Sequence, residues 1–263
     1  MRRTVVAKTD RIQLSYDVTF TAPFHHGTGL RLGLIDRTVV RDHDGYLYVP
    51  GSTIKGCVRE QCERLSRLYE ELDQDMLARI ASPHDTQQAL WAMDQPVTMV
   101  TRIFGSHHHP GRLFFDDARQ AKDEHQDEDE ERSYKSLQTS LYTQARLDRP
   151  TRTAVPGALY TSEFGTKDFT LHGTINGWLT CIAIETLEHK PTYSLLLLLA
   201  GLHMIDRLGG NKSTGKGQCC IEIQELKING GEPYKKEKWQ FWLDHLEALS
   251  YYSSAIVSEE EEA

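Results

Sequence analysis

Three features that would have narrowed the class of this 263-residue chain at once are missing from it. No apolar run approaches the ~20 residues of a membrane-spanning helix; the longest candidate, Tyr193 to Leu208, is broken by His203, Asp206 and Arg207. No CxxC pair occurs. The five cysteines stand at 57, 62, 181, 219 and 220, an odd set that argues against a disulfide framework and for a reducing, cytoplasmic compartment. Net positive charge is also missing: the formal charge is −8, which discourages a nucleic-acid partner. The acid is local, however. Residues Lys122 to Arg132 hold seven Asp/Glu against two Lys/Arg, and Glu259 to Glu262 add four more. The first run reads as a flexible insertion and the second as part of a disordered tail over 253–263. Local basic surfaces, not the total, then decide what the chain binds. The N-terminal MRRTVVAKTD has two arginines but no apolar stretch behind them, so a secretory signal is not expected.

What is present reads as one domain, 1–263, with no internal repeat. Ile12, Leu14, Tyr16, Val18 and Phe20 alternate with polar residues, the mark of a strand with one buried face. Asp42 to Gly45 is a turn signal between short apolar runs. Ser52 or Thr53 is expected to cap a helix running to about Leu72. Arg112 to Asp117, Phe169 to Ile184 and Gln218 to Leu226 read as strands, and Arg102 to Gly111 as a turn. Tyr193 to Arg207 reads as an apolar helix with Gly209 and Gly210 as its C-cap. With insertions over about 73–111 (helical, lid-like) and 118–163 set aside, the order is βαββαβ, an α+β ferredoxin-like (RRM-like) core with peripheral helices.

Two segments carry chemistry. The helix opened by Pro50-Gly51-Ser52-Thr53 places Lys55 and Arg59 in its first turns. Cations there oppose the helix dipole, so an anion is expected to offset them. The second segment is Gly209 to Gly217, GGNKSTGKG, in which glycines free the backbone to approach an anion and Lys212 and Lys216 add charge. Gly210 to Lys216 fits GxxxxGK, but Gly217 replaces the Ser/Thr of a Walker A loop, and the loop follows a helix. A mobile αβ connection is the plainer reading of the same residues. Upstream, Asp36 is a lone carboxylate in Gly33-Leu34-Ile35-Asp36; a loop-capping aspartate is the plainer reading there.

The PGSTIKGCVR helix start (50–59) and the glycine-rich loop (209–217) together resemble the RAMP superfamily, and within it the backbone subunits of type III CRISPR effector complexes, the Cas-seven-like group. Val39-Val40-Arg41-Asp42, Arg102-Ile103-Phe104-Gly105 and the segment Asp148-Arg149 through Glu163 are similar to further parts of that pattern, and the likeness runs from Ile12 to Leu226. The resemblance implies a ferredoxin-like core with an inserted thumb hairpin, stacked with related subunits along a guide RNA. It implies guide contacts from Ser52, Thr53, Lys55, Arg59, Asn211, Lys212, Ser213 and Lys216, and from thumb arginines Arg146, Arg149 and Arg152. It also implies that Asp36 cuts the base-paired target RNA with Mg²⁺ or another divalent cation, with target sequence read by base pairing. His25 and His26 lie nearby in sequence, and His26 is the candidate helper. Relatives can carry a cysteine-based zinc site near 107–109; here three consecutive histidines without paired cysteines favour a solvated turn. Three other readings stay open: a catalytically silent scaffold, a metal-independent guide-processing ribonuclease using His25 or His26, and a small-molecule phosphate binder.

Overall fold

The computed structural model describes residues 9–69, 98–106, 110–120, 134–180, 182–252 and 255. Much of the expected helical insertion over about 73–111, most of the acidic insertion, the histidine run at 107–109 and the acidic tail lie outside them.

Strand β1 (Thr9–Phe20) is the centre of the sheet, and its alternation explains why. Ile12, Leu14, Tyr16, Val18 and Phe20 are buried on one face, while Gln13, Ser15, Asp17 and Thr19 face the other way. On one side β1 pairs antiparallel with β7 (Phe169–Thr180), from Thr9↔Thr180 to Phe20↔Phe169. On the other it pairs antiparallel with β8 (Cys219–Ile228), with a bulge at Ser15/Tyr16. Beyond β7 lie the short strands β3 (Leu113–Phe115) and β4 (Ala118–Arg119), and β2 (Tyr48–Val49) pairs with β4 at the edge. With β3 and β4 taken as one broken strand, the order across the sheet is that of the ferredoxin-like βαββαβ fold, all antiparallel.

Helices α1 (Gly51–Tyr69), α2 (Met99–Phe104) and α3 (Tyr193–His203) cover the apolar face. The run Leu195 to Leu199 is buried on every side, because α3 lies against α1, α2 and α4 (Lys236–Leu243) as well as the sheet. Its N-terminus is closed by Thr192, whose hydroxyl accepts from Leu195 N at 3.2 Å. A hairpin of β5 (Thr139–Leu147) and β6 (Ala154–Gly165) forms a separate two-stranded sheet, the thumb.

Several local expectations are corrected. Neither Ser52 nor Thr53 caps α1. The Pro50 carbonyl accepts from Thr53 N at 2.9 Å and Ile54 N at 3.2 Å, and Asp117, from the β3–β4 corner, accepts from Gly51 N at 2.9 Å. Helix α3 ends at His203, with Met204 as its cap, not at the glycines. Those glycines are held elsewhere, as described below. Arg102 to Phe104 belong to α2 and are not a turn; Thr98 caps that helix through Thr101 N. Helix α4 ends at Leu243, and a 3-10 turn, Leu246–Tyr251, follows it. Trp239 and Trp242 are core residues.

Candidate RNA interface

The glycine-rich loop is fastened, not a loose connection. Leu208 N donates to Gly217 O and Gly217 N to Pro23 O, each at 2.8 Å, while Gly210 N donates to His25 O at 2.8 Å. Gly217 sits at φ +74°, and a β-carbon there would lie 2.0 Å from Leu208 O, so only glycine closes this loop. Within it Asn211 is left-handed and Lys212–Thr214 form a 3-10 turn, with Arg207 Nη1 donating to Lys212 O at 3.0 Å.

These bonds bring the loop against α1 and the 25–27 segment around a cleft of about 290 Å³. Thr53 and Cys57 of α1, His25, His26 and Lys212 contribute its polar groups, and Gly209 and Gly210 its floor. Lys212 Nζ lies 3.8 Å from Cys57 Sγ, which ties the loop to the helix. His26 is 6% exposed, and its Nε2 has no hydrogen-bond partner. Burial first, then the neighbouring His25 and Lys212, push its pKa down to about 4, so it is neutral near pH 7. A base that weak is poorly matched to proton abstraction at that pH. The His25 ring is committed to the thumb, its Nδ1 2.7 Å from Glu163 O.

Other basic residues expected at this surface are placed differently. Arg59 pairs with Glu63 one turn on, at 2.8 Å, and Lys55 Nζ stands 6.0 Å from the Phe115 ring centre. Ser52 and Ser213 are exposed, and Asn211 is half-buried. Lys216 turns toward the thumb and stacks over Tyr142 at 4.3 Å and Phe164 at 5.1 Å. Arg146 lies on β5, while Arg149 and Arg152 form the exposed thumb tip, where Asp148 Oδ2 accepts from Thr151 N at 3.2 Å. The positive end of α1 is not wholly free for an outside anion, since Asp117 already holds Gly51 N.

Asp36 is not in the cleft lining. Its segment lies along β6: Asp36 N donates to Thr161 O at 2.9 Å, Thr161 N donates back to Asp36 Oδ2 at 2.9 Å, and Glu163 N donates to Arg37 O at 2.9 Å. Oδ1 faces Arg31 at 3.3 Å, and that arginine side chain is 79% exposed. Leu30, Leu32 and Leu34 on the same loop are exposed too, Leu34 at 94%.

Sequence reasoning missed the brace behind this segment. Buried Glu163 accepts from Val39 N at 3.1 Å and from Arg41 Nη2 at 2.7 Å, and Arg41 also donates to Thr139 Oγ1 at 3.1 Å and Gly45 O at 2.9 Å. These bonds hold the Glu163 carboxyl below its ordinary range against the opposing effect of burial. Partners 122 residues apart leave no local signal. Arg41→Ala leaves Glu163 without its cation and is expected to cost about 1–3 kcal/mol. The unfolding midpoint in urea should fall without a change in slope.

Strand order and fastened loop define an α+β domain of ferredoxin-like fold with a polar cleft at the junction of its first helix and second crossover. Residues 17–220 match the model of the RAMP superfamily, and the chain belongs to that family. Among solved structures, a chain in "Cryo-EM structure of the Type III-B Cmr-beta bound to cognate target RNA" is 11% identical; the match covers 80% of this chain and 96% of that one, with a TM-score of 0.48. At that level the likeness carries no further argument. Comparison with curated proteins found no match. No described helix is long and apolar enough to cross a membrane.

Proposed function

We propose that this protein is a guide-RNA-binding backbone subunit of a type III CRISPR ribonucleoprotein and that Asp36 takes part in cutting the base-paired target RNA. One observation carries the guide-binding part: the α1 start and the glycine loop, about 150 residues apart in sequence, converge on one cleft with Lys212 between them. Membership of the RAMP superfamily supports the same reading. The partners are a guide RNA, the single-stranded target it pairs with, and related subunits of the complex.

In this reading the cleft, Lys55 and Lys216 hold guide backbone, and the thumb arginines neutralise phosphates further along. Asp36 faces the target, whose own 2′-hydroxyl is the nucleophile. The new bond joins the 2′-oxygen to phosphorus as the bond to the 5′-oxygen breaks, and water returns a proton to the leaving oxygen. Asp36 orients the hydroxyl and takes its proton as the bond to phosphorus forms. Among the described residues no group of three or more His, Cys, Asp or Glu is placed to hold a metal. A single carboxylate still fits Mg²⁺, which keeps several waters and takes further ligands from substrate phosphates. Asp36, whose Oδ1 faces Arg31 at 3.3 Å, is the residue that would hold such an ion, which would supply charge neutralisation at the phosphoryl oxygens.

A second reading, a scaffold that does not cut, is favoured by the fact that both Asp36 oxygens already have partners. The assembly reading is tested by expressing the chain with a CRISPR array and sequencing the RNA that co-purifies. Repeat-derived RNA of uniform length is expected. Absence of retained RNA, with affinity for RNA insensitive to salt, would point instead to a small-molecule phosphate binder.

A further inference from the structure

We propose that the 290 Å³ cleft holds one ribose-phosphate unit of the guide, with His26 Nε2 hydrogen-bonded to the ribose 2′-hydroxyl, so that this pocket distinguishes RNA from DNA. The inference rests on the guide-binding reading above and adds the chemical group that is read.

The cleft offers two kinds of polar contact. Lys212, with its ammonium group held near Cys57, suits a phosphate. His26 does not: it is deeply buried against Phe20 and Phe24, ring centres 6.1 and 5.8 Å away, and is neutral near pH 7. It brings a directional hydrogen bond in place of charge. Its Nε2 is nevertheless left without a partner, a state that native folds rarely keep unless something meets it. A 2′-hydroxyl both donates and accepts, so it satisfies either tautomer of a neutral imidazole. It also projects from the sugar beside the 3′-phosphate, which would set the phosphate toward Lys212. The cleft of about 290 Å³ takes the sugar and phosphate, and the base stays outside for pairing. Gly209 is part of the fit: a β-carbon there would come within 3.1 Å of His26 Cε1.

The test uses the full-length protein and three guide-length oligonucleotides of one sequence: all-ribose, all-2′-deoxy and 2′-O-methyl. Wild type is expected to bind the ribose strand about tenfold more tightly than the deoxy strand at equal salt, because a pocket built around a hydroxyl rejects the analogue that lacks it. The 2′-O-methyl strand should bind as weakly as the deoxy strand. His26→Phe, which keeps an aromatic ring beside Phe20 and Phe24, should bring the ratio close to one with no change in salt dependence. His26→Gln should recover part of it. Lys212→Ala should weaken ribose and deoxy strands alike and lower the salt slope. Equal affinity of wild type for ribose and deoxy strands overturns the proposal, as does an unchanged ratio in His26→Phe. If wild type binds none of the three strands, the guide-binding reading itself has failed; binding without discrimination removes only the 2′-hydroxyl contact.

Discussion

Asp36→Asn in the assembled guide complex is expected to slow target-RNA cleavage at this subunit's position by a factor of roughly 10²–10⁴, the range lost when a positioned proton-accepting group is removed. Asparagine is the informative replacement. Its side-chain oxygen can still accept from Thr161 N, so the docking of the loop on β6 is kept while the charge is lost. Guide retention should stay within about twofold of wild type, because Asp36 is not in the cleft lining. Asp36→Ala removes charge and docking bond together. A loss with Ala that Asn does not share would assign Asp36 to loop positioning. Cleavage that persists in both variants, with the complex intact, establishes the scaffold reading. Single-turnover rates on a labelled target distinguish these outcomes.

The second large effect concerns the guide. Replacing Lys55, Lys212 and Lys216 together by alanine is expected to weaken guide binding on the order of 100-fold, about fivefold for each charge-assisted contact to a phosphate. The slope of log affinity against log salt should fall by about 2, since each contact to a single strand contributes roughly 0.7. The three single variants are not expected to be equal. Lys212 faces the cleft, whereas Lys216 also braces the thumb through Tyr142 and Phe164, so Lys216→Ala should loosen the thumb base as well. A filter-binding titration at several salt concentrations tests the slope, and an unchanged slope in the triple variant would place the guide elsewhere. Circular dichroism separates lost binding from lost fold.

Much of the fold could be read in advance, and the residues explain which parts. Strand β1 announces itself because period-two alternation from Ile12 to Phe20 has one meaning for a half-buried strand. The strand at Cys219 follows from the same logic, which also puts Cys219 and Cys220 on opposite faces, whereas the helix from Gly51 shows the helical spacing of Ile54, Val58, Cys62 and Leu65. Helix ends were harder to place. Gly209 and Gly210 look like a C-cap, yet α3 stops earlier and the glycines serve a loop whose hydrogen bonds go to Pro23 and His25. Likewise Ser52 and Thr53 look like N-caps, but the capping carboxylate on Gly51 N is Asp117, 66 residues away.

The site divides in the same way. Sequence alone singled out two segments, at 50–59 and 209–217, because helix-start cations and clustered glycines are features of neighbours a few residues apart. Only the tertiary structure decided what those segments do together. It sent Lys212 into a shared cleft, Lys216 onto the thumb and Arg59 into a pair with Glu63, and it laid Asp36 along β6, outside the cleft lining. It also buried His26 with Nε2 unpartnered, turning a candidate helper base into a neutral hydrogen-bonding group. The physical reason is range: propensity and local charge act over one or two helical turns, whereas burial and pairing are set by whichever distant segment the fold brings alongside.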